Sequence, residues 1–187
     1  MTTRHVTGLL VALWGVLLGG AAWAQDAEKE PASPYEAQFM ADMIVHHNSA
    51  VEMARLCVSK AEHPELAALC DQMATDQVRD IDDMRTWLDT WGSESGGVAE
   101  EMLCPSAHEG MGGAMALLGD LEGKDFEEAF LTFMIQHHRA ALETAGRCMT
   151  EADHAELVGL CNNIVVTQSA EIHVMRQWLA RWFEVCA

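Results

Sequence analysis

Residues Phe39–Cys57 read FMADMIVHHNSAVEMARLC, and residues Phe130–Met149 read FLTFMIQHHRAALETAGRCM. Both are apolar stretches carrying two adjacent histidines in their middle, three residues after a methionine and ten before a cysteine. One such pair could be an accident of a helix surface. Two in matching surroundings need a cause.

The cause is duplication. Moved by 91 residues, the chain overlays itself without a gap, Phe39–Trp91 on Phe130–Trp182, with 22 of 53 positions identical. The identities include Met43/Met134, His46/His137, His47/His138, Cys57/Cys148, Cys70/Cys161, Gln77/Gln168, Met84/Met175, Trp87/Trp178 and Trp91/Trp182. Self-similarity at a fixed shift is the signature of a repeated unit.

Each unit reads as two helices. SPYE at Ser33–Glu36 has an N-cap serine, proline at the first helical position and glutamate three residues after the cap. DFEE at Asp125–Glu128 is expected to play the same part in the second unit. A short turn follows each first helix, KAEHPEL or EADHAEL, with Pro64 placed to open a second helix that Gly92 stops. A hairpin of this kind has an apolar stripe it cannot bury alone, so two of them form an all-α four-helix bundle. The expected organisation is repeat 1 over about 33–91, a crossover over 92–124 and repeat 2 over about 125–187, together one domain from residue 25 to 187. The crossover is rich in glycine and acid and reads mostly as loop, with a short helix around Met111–Leu118.

The first 24 residues differ in kind. Arg4 precedes an apolar run from Val6 to Leu18, and Ala22-Trp23-Ala24 is a small-x-small cleavage pattern. This reads as a secretory signal peptide, since the run is too short to span a bilayer. The expected location is periplasmic or secreted, with no membrane contact after processing. Six cysteines in an exported chain favour disulfides over free thiols. Cys57 and Cys70 bracket the first turn and Cys148 and Cys161 the second, which suggests one staple per hairpin, leaving Cys104–Cys186. Thiolate ligation of a metal is the alternative. Losing Arg4, the only charge in residues 1–24, takes the formal charge from −18 to −19. Such a chain repels nucleic acid and anionic lipid and concentrates cations.

At about 100° per residue, His47 falls within the apolar face of its helix and His46 at the edge of that face. His138 and His137 repeat this. On the facing helix, Gln77 and Asp80 interrupt an apolar stripe, as Gln168 and Glu171 do in the second unit. If the staples set the register, His47 meets Asp80 and Met43 meets Met84, while His138 meets Glu171 and Met134 meets Met175. Thioether is a soft ligand suited to Cu(I), and imidazole accepts Cu(I) and Cu(II). Each unit thus offers imidazole, two thioethers and a carboxylate at one level, so Asp80 and Glu171 join the histidines and methionines as candidate metal-site residues, and the cofactor implied is a copper ion.

Blander readings stand beside this one. Methionines at helical spacing also serve as core, and a buried histidine on a carboxylate can be purely structural. His63 and His154 sit at helix starts, where a capping role is expected, and His173 is expected at the surface. His108, Met111 and Met115 could form a secondary metal-capturing loop. The four paired tryptophans read as packing plugs closing one end of the bundle.

The two double-histidine stretches, together with TQSAEIHVMRQWL at 167–179, resemble the bacterial family known as domain of unknown function 305. The resemblance covers nearly the whole mature chain. It implies a ferritin-like bundle and, from some members, a periplasmic copper-binding protein of the copper-resistance type. Met43, His46, His47, Met84, Met134, His137, His138 and Met175 are the ligands it implies. Asp80 stands where the family usually has glutamate, and Thr144 stands opposite Met53.

The leading expectation is a protein that sequesters or buffers copper, with silver as a second soft ion, without catalysis. Its partners would be metal ions and another periplasmic copper-handling protein. A di-iron oxidoreductase of the same architecture is the enzymatic alternative, although that site needs Glu-x-x-His on two helices and the chain has it once, in the turn at Glu151–His154. A metal-free, disulfide-stapled interaction module is the third.

Overall fold

The computed structural model describes residues 30–92 and 105–184, with backbone only over 105–112. Its elements are five helices: α1 (Pro34–Lys60), α2 (Pro64–Trp91), α3 (Pro105–Asp120), α4 (Gly123–Glu151) and α5 (Ala155–Trp182). α1 packs on α2 and α4 on α5, and the two hairpins meet through α1 and α4.

The signals at the start of α1 act as read. Ser33 Oγ accepts from the Glu36 N–H at 3.2 Å, and the Glu36 carboxylate accepts from the Ser33 N–H at 2.9 Å. Pro64 opens α2, and Gly92 ends it at φ +63°, a left-handed value that glycine reaches without a Cβ clash. The second unit differs. α4 begins two residues before the expected Asp125, with Glu122 at its N-cap and no side-chain cap.

The crossover also departs from expectation. It carries a helix over Pro105–Asp120, twice the length of the Met111–Leu118 segment read from sequence. Burial explains how a glycine-rich segment holds this form. Leu118 is fully buried in the core and Met115 packs against it, so tertiary contact offsets poor helix propensity. Lys60, at the end of α1, donates to the Leu118 carbonyl at 3.2 Å and the Gly119 carbonyl at 2.8 Å, and pairs with Glu122 at 3.0 Å.

Cys57–Cys70 and Cys148–Cys161 are both bonded, each with Cα atoms 6.1 Å apart. Closing loops of this length contributes on the order of 3 kcal/mol under a chain-entropy description. The Cys104–Cys186 pairing and the signal peptide lie outside the described residues.

The core falls into two apolar halves. One joins Ala50–Cys57 of α1, Leu66–Met73 of α2, Phe126–Ile135 of α4 and Ile172–Leu179 of α5. The other joins Phe39–Met43, Met84–Trp91, Ala141–Cys148 and Leu157–Ile164 of the same four helices. The start of α1 thus shares a core with the end of α4, which makes the two antiparallel. The tryptophans follow this symmetry. Trp87 and Trp91 belong to one half and Trp178 and Trp182 to the other, so they flank both ends rather than plugging one.

Candidate metal centre

Between the two apolar halves, every helix that spans both contributes polar side chains. These are His46 and His47 from α1, Gln77 and Asp80 from α2, His137 and His138 from α4, and Gln168 and Glu171 from α5. His47 and His138 are fully buried, and His137, Gln77, Gln168 and Glu171 are also buried. Placing eight polar groups at one level of a core is costly unless they are bonded or bind something.

The expected level pairing is present. His47 Nε2 lies 3.3 Å from Asp80 Oδ2, and His138 Nε2 lies 2.7 Å from Glu171 Oε2. A carboxylate only accepts, so Nε2 carries a hydrogen in both rings and Nδ1 is the nitrogen left to face a metal. Ser49 does the same for a third ring. Its hydroxyl donates to the His46 carbonyl at 2.7 Å, so it accepts from His137 Nε2 at 2.9 Å. His137 therefore also presents a bare Nδ1.

His46 and His137 were expected at the edge of the apolar face. The packing of α1 on α4 closes that edge, and their ring centroids stand 3.7 Å apart. Burial, followed by the neighbouring His47 and His138, pushes the His46 imidazole down to about 3. Burial and the same crowding of imidazoles push His137 well below its ordinary value. Both rings are therefore neutral, with lone pairs available to a metal.

Those lone pairs have no partner. The Nδ1 atoms of His46, His47, His137 and His138, and the Oε1 atoms of Gln77 and Gln168, are buried without a hydrogen bond. An unsatisfied buried polar atom costs about 1–3 kcal/mol. Six in one layer, related in pairs by the duplication, point to a use.

Met43 and Met84 border the layer in one apolar half, and Met134 and Met175 in the other. Each lies one helical turn from a polar member of the layer (His47, Asp80, His138 and Glu171 respectively). Among the described residues, no three His, Cys, Asp or Glu side chains converge into a ready metal cage. Met115 packs against the core instead of joining a capturing loop. His108 and Met111 fall where side chains are outside the described residues.

Two buried acids do what the sequence reading did not assign: Glu36 was read only as a cap, and Glu127 was given no role. Glu127 Oε1 accepts from the Glu62 and His63 N–H groups at 2.8 Å, and Oε2 meets His63 Nδ1 at 2.6 Å. Glu36 makes the equivalent bonds to Asp153 and His154. His63 and His154 stand at the N-caps of α2 and α5 but make no side-chain cap bond there. Their rings bond the glutamates and stack on Trp182 at 3.9 Å and on Trp91 at 4.0 Å. The available signal was positional, because Glu36 lies four and seven residues before the core methionines Met40 and Met43 and recurs as Glu127. His173 is exposed, as expected.

Comparison with known proteins gives this arrangement a context. No curated protein matches the chain. A candidate secreted DUF305 protein from Streptomyces coelicolor is 30% identical, with a TM-score of 0.69 over 79% of this chain and 93% of that one. A DUF305 fragment from Deinococcus radiodurans is also 30% identical, with a TM-score of 0.69 over 81% and 99%. CopM in its Cu(II)-bound form is 32% identical, with a TM-score of 0.68 over 81% and 99%. CopM is also known in Cu(I)-bound and Ag-bound forms. Residues 36–179 match the family model described as domain of unknown function, DUF305, and the chain belongs to that family.

Proposed function

We propose that this protein is an exported copper-binding protein that sequesters or buffers copper, and silver by the same chemistry, in the polar layer between its two apolar halves. The observation that carries the reading is the set of four buried Nδ1 atoms without hydrogen-bond partners. Three of them are held bare because the opposite ring nitrogen donates to Asp80, Glu171 or Ser49. A metal-binding imidazole is commonly oriented in this way, by a carboxylate or other acceptor on its far nitrogen. Asp80 and Glu171 then serve as orienting groups behind His47 and His138 rather than as direct ligands.

The flanking thioethers of Met43, Met84, Met134 and Met175 complete a soft donor set. With no ready cage of His, Cys, Asp and Glu among the described residues, an ion in this layer draws on thioether sulfur or on rotation of an imidazole. The copper-bound and silver-bound forms of CopM support this choice of ion. We read the architecture as one ferritin-like four-helix domain with α3 as its crossover, and the role as binding without catalysis. Export is supported by the leader, by the disulfides, and by the fact that no helix among the described residues is long and apolar enough to cross a membrane.

Anaerobic titration of the mature protein with Cu(I), Ag(I), Cu(II) and Zn(II) tests the reading. Saturable binding of copper and silver above zinc, lost in His47→Ala/His138→Ala, is the expected result. Weak binding that tracks ionic strength and ignores these substitutions would overturn it.

A further inference from the structure

The duplication relates the two halves of the polar layer, yet their supports are unequal. His138 Nε2 lies 2.7 Å from Glu171, whose side chain is 9% exposed. His47 Nε2 lies 3.3 Å from Asp80, a shorter side chain that is 24% exposed. Water therefore competes for Asp80 more than for Glu171, and the longer bond holds its ring less firmly. The outer rings differ in the same sense. His46 and His137 each lean on the other's backbone, but His137 is buried and His46 only half-buried. His137 Nε2 also meets the Ser49 hydroxyl at 2.9 Å. Shifted by 91 residues, Ser49 becomes Ala140, which has no hydroxyl to offer His46 in return.

We infer that His137 and His138 on α4 are the preset half of the layer and take the first copper ion, with Ser49 as the positioning residue, while His46 and His47 on α1 form the weaker half, which fills second and empties first. This rests on the copper reading above and adds an order to it. A neutral imidazole divides between two tautomers, and Nδ1 can face a metal only in the one that carries its hydrogen on Nε2. Ser49 selects that tautomer. Its own hydrogen goes to the His46 carbonyl at 2.7 Å, so its oxygen is left to accept from His137. A ring held from behind has less freedom to lose when its front nitrogen binds, and such supports are worth about 10–100-fold in metal affinity. Because Ser49 belongs to the first unit and His137 to the second, one unit sets the strength of the other.

Two measurements test this. In the copper-free protein, nitrogen NMR of the imidazole rings should show His137 with its hydrogen on Nε2. Ser49→Ala should mix the His137 tautomers and leave His138 unchanged, and Ser49→Thr, which keeps the hydroxyl, should restore the single form. Cu(I) titration against a competing chelator should then resolve two unequal steps. Ser49→Ala should weaken the tighter step about tenfold or more and leave the weaker step in place. Ala140→Ser, at an exposed position, should supply the missing hydroxyl and tighten the weaker step. Two equal steps, a single shared ion, or an unchanged His137 tautomer in Ser49→Ala would overturn the inference while leaving copper binding intact. Absence of Cu(I) binding in the unmodified protein would instead defeat the copper reading, and the filling order with it.

Discussion

Glu36, on the first helix of one hairpin, accepts from the His154 backbone N–H of the other hairpin at 2.8 Å and lies 3.0 Å from His154 Nδ1. Glu127 returns the same grip on His63. Each unit thus clasps the helix start of its twin, at opposite ends of the molecule. Burial pushes the Glu36 carboxyl up, but hydrogen bonds from the His154 and Ser33 backbones, the His154 ring and the Asp153 backbone outweigh it and hold the group at about 2. Burial pulls the His154 imidazole down, and its bond to Glu36 reverses this and raises it.

Removing a clasp should therefore loosen the hairpins from each other. Glu36→Gln loses the charge-assisted bonds and should lower stability by about 1–3 kcal/mol, with Glu127→Gln behaving alike. The pH dependence has two arms. A depressed carboxyl contributes stability above its unfolded value near 4.5, lost as pH falls toward about 2. A raised imidazole contributes at low pH, lost as pH climbs past its ordinary 6.5. Thermal melts across pH should show both slopes reduced in Glu36→Gln.

Thiol chemistry should find nothing to titrate. Counting thiols under denaturing, non-reducing conditions is expected to give none, from the two observed staples and a third between Cys104 and Cys186. Breaking one staple with Cys57→Ser/Cys70→Ser should cost on the order of 3 kcal/mol in a denaturant melt.

The thioethers should discriminate between copper oxidation states. Met43→Leu/Met134→Leu keeps volume and apolarity at a cost below about 1.5 kcal/mol per site. Affinity for Cu(I) and Ag(I) should fall while Cu(II), served by the remaining imidazoles, falls less. Unchanged Cu(I) affinity would mark these methionines as core alone.

The histidines should divide by role. His47→Ala/His138→Ala should abolish most copper binding. His63→Ala/His154→Ala should leave copper stoichiometry intact and lower the melting temperature, because those rings bond glutamates and stack on tryptophans. Equal copper losses in both variants would contradict the assignment.

Much of this was readable along the chain. Helical period and the shift of 91 depend on local spacing, so the two hairpins, their staples and the facing of His47 with Asp80 follow from counting residues between neighbours in one unit. How one unit meets the other is a different matter, because no spacing within a hairpin encodes the angle or direction of a second one. Only the tertiary structure brought His46 against His137, set the tryptophan pairs at opposite ends and turned Glu36 and Glu127 into reciprocal clasps. It also decided the length of α3, whose glycines argue for loop until Leu118 finds a core to enter. The tautomers belong there too, since a ring's proton is placed by what its far nitrogen touches, and those partners sit on other helices or, for Ser49, in the other unit.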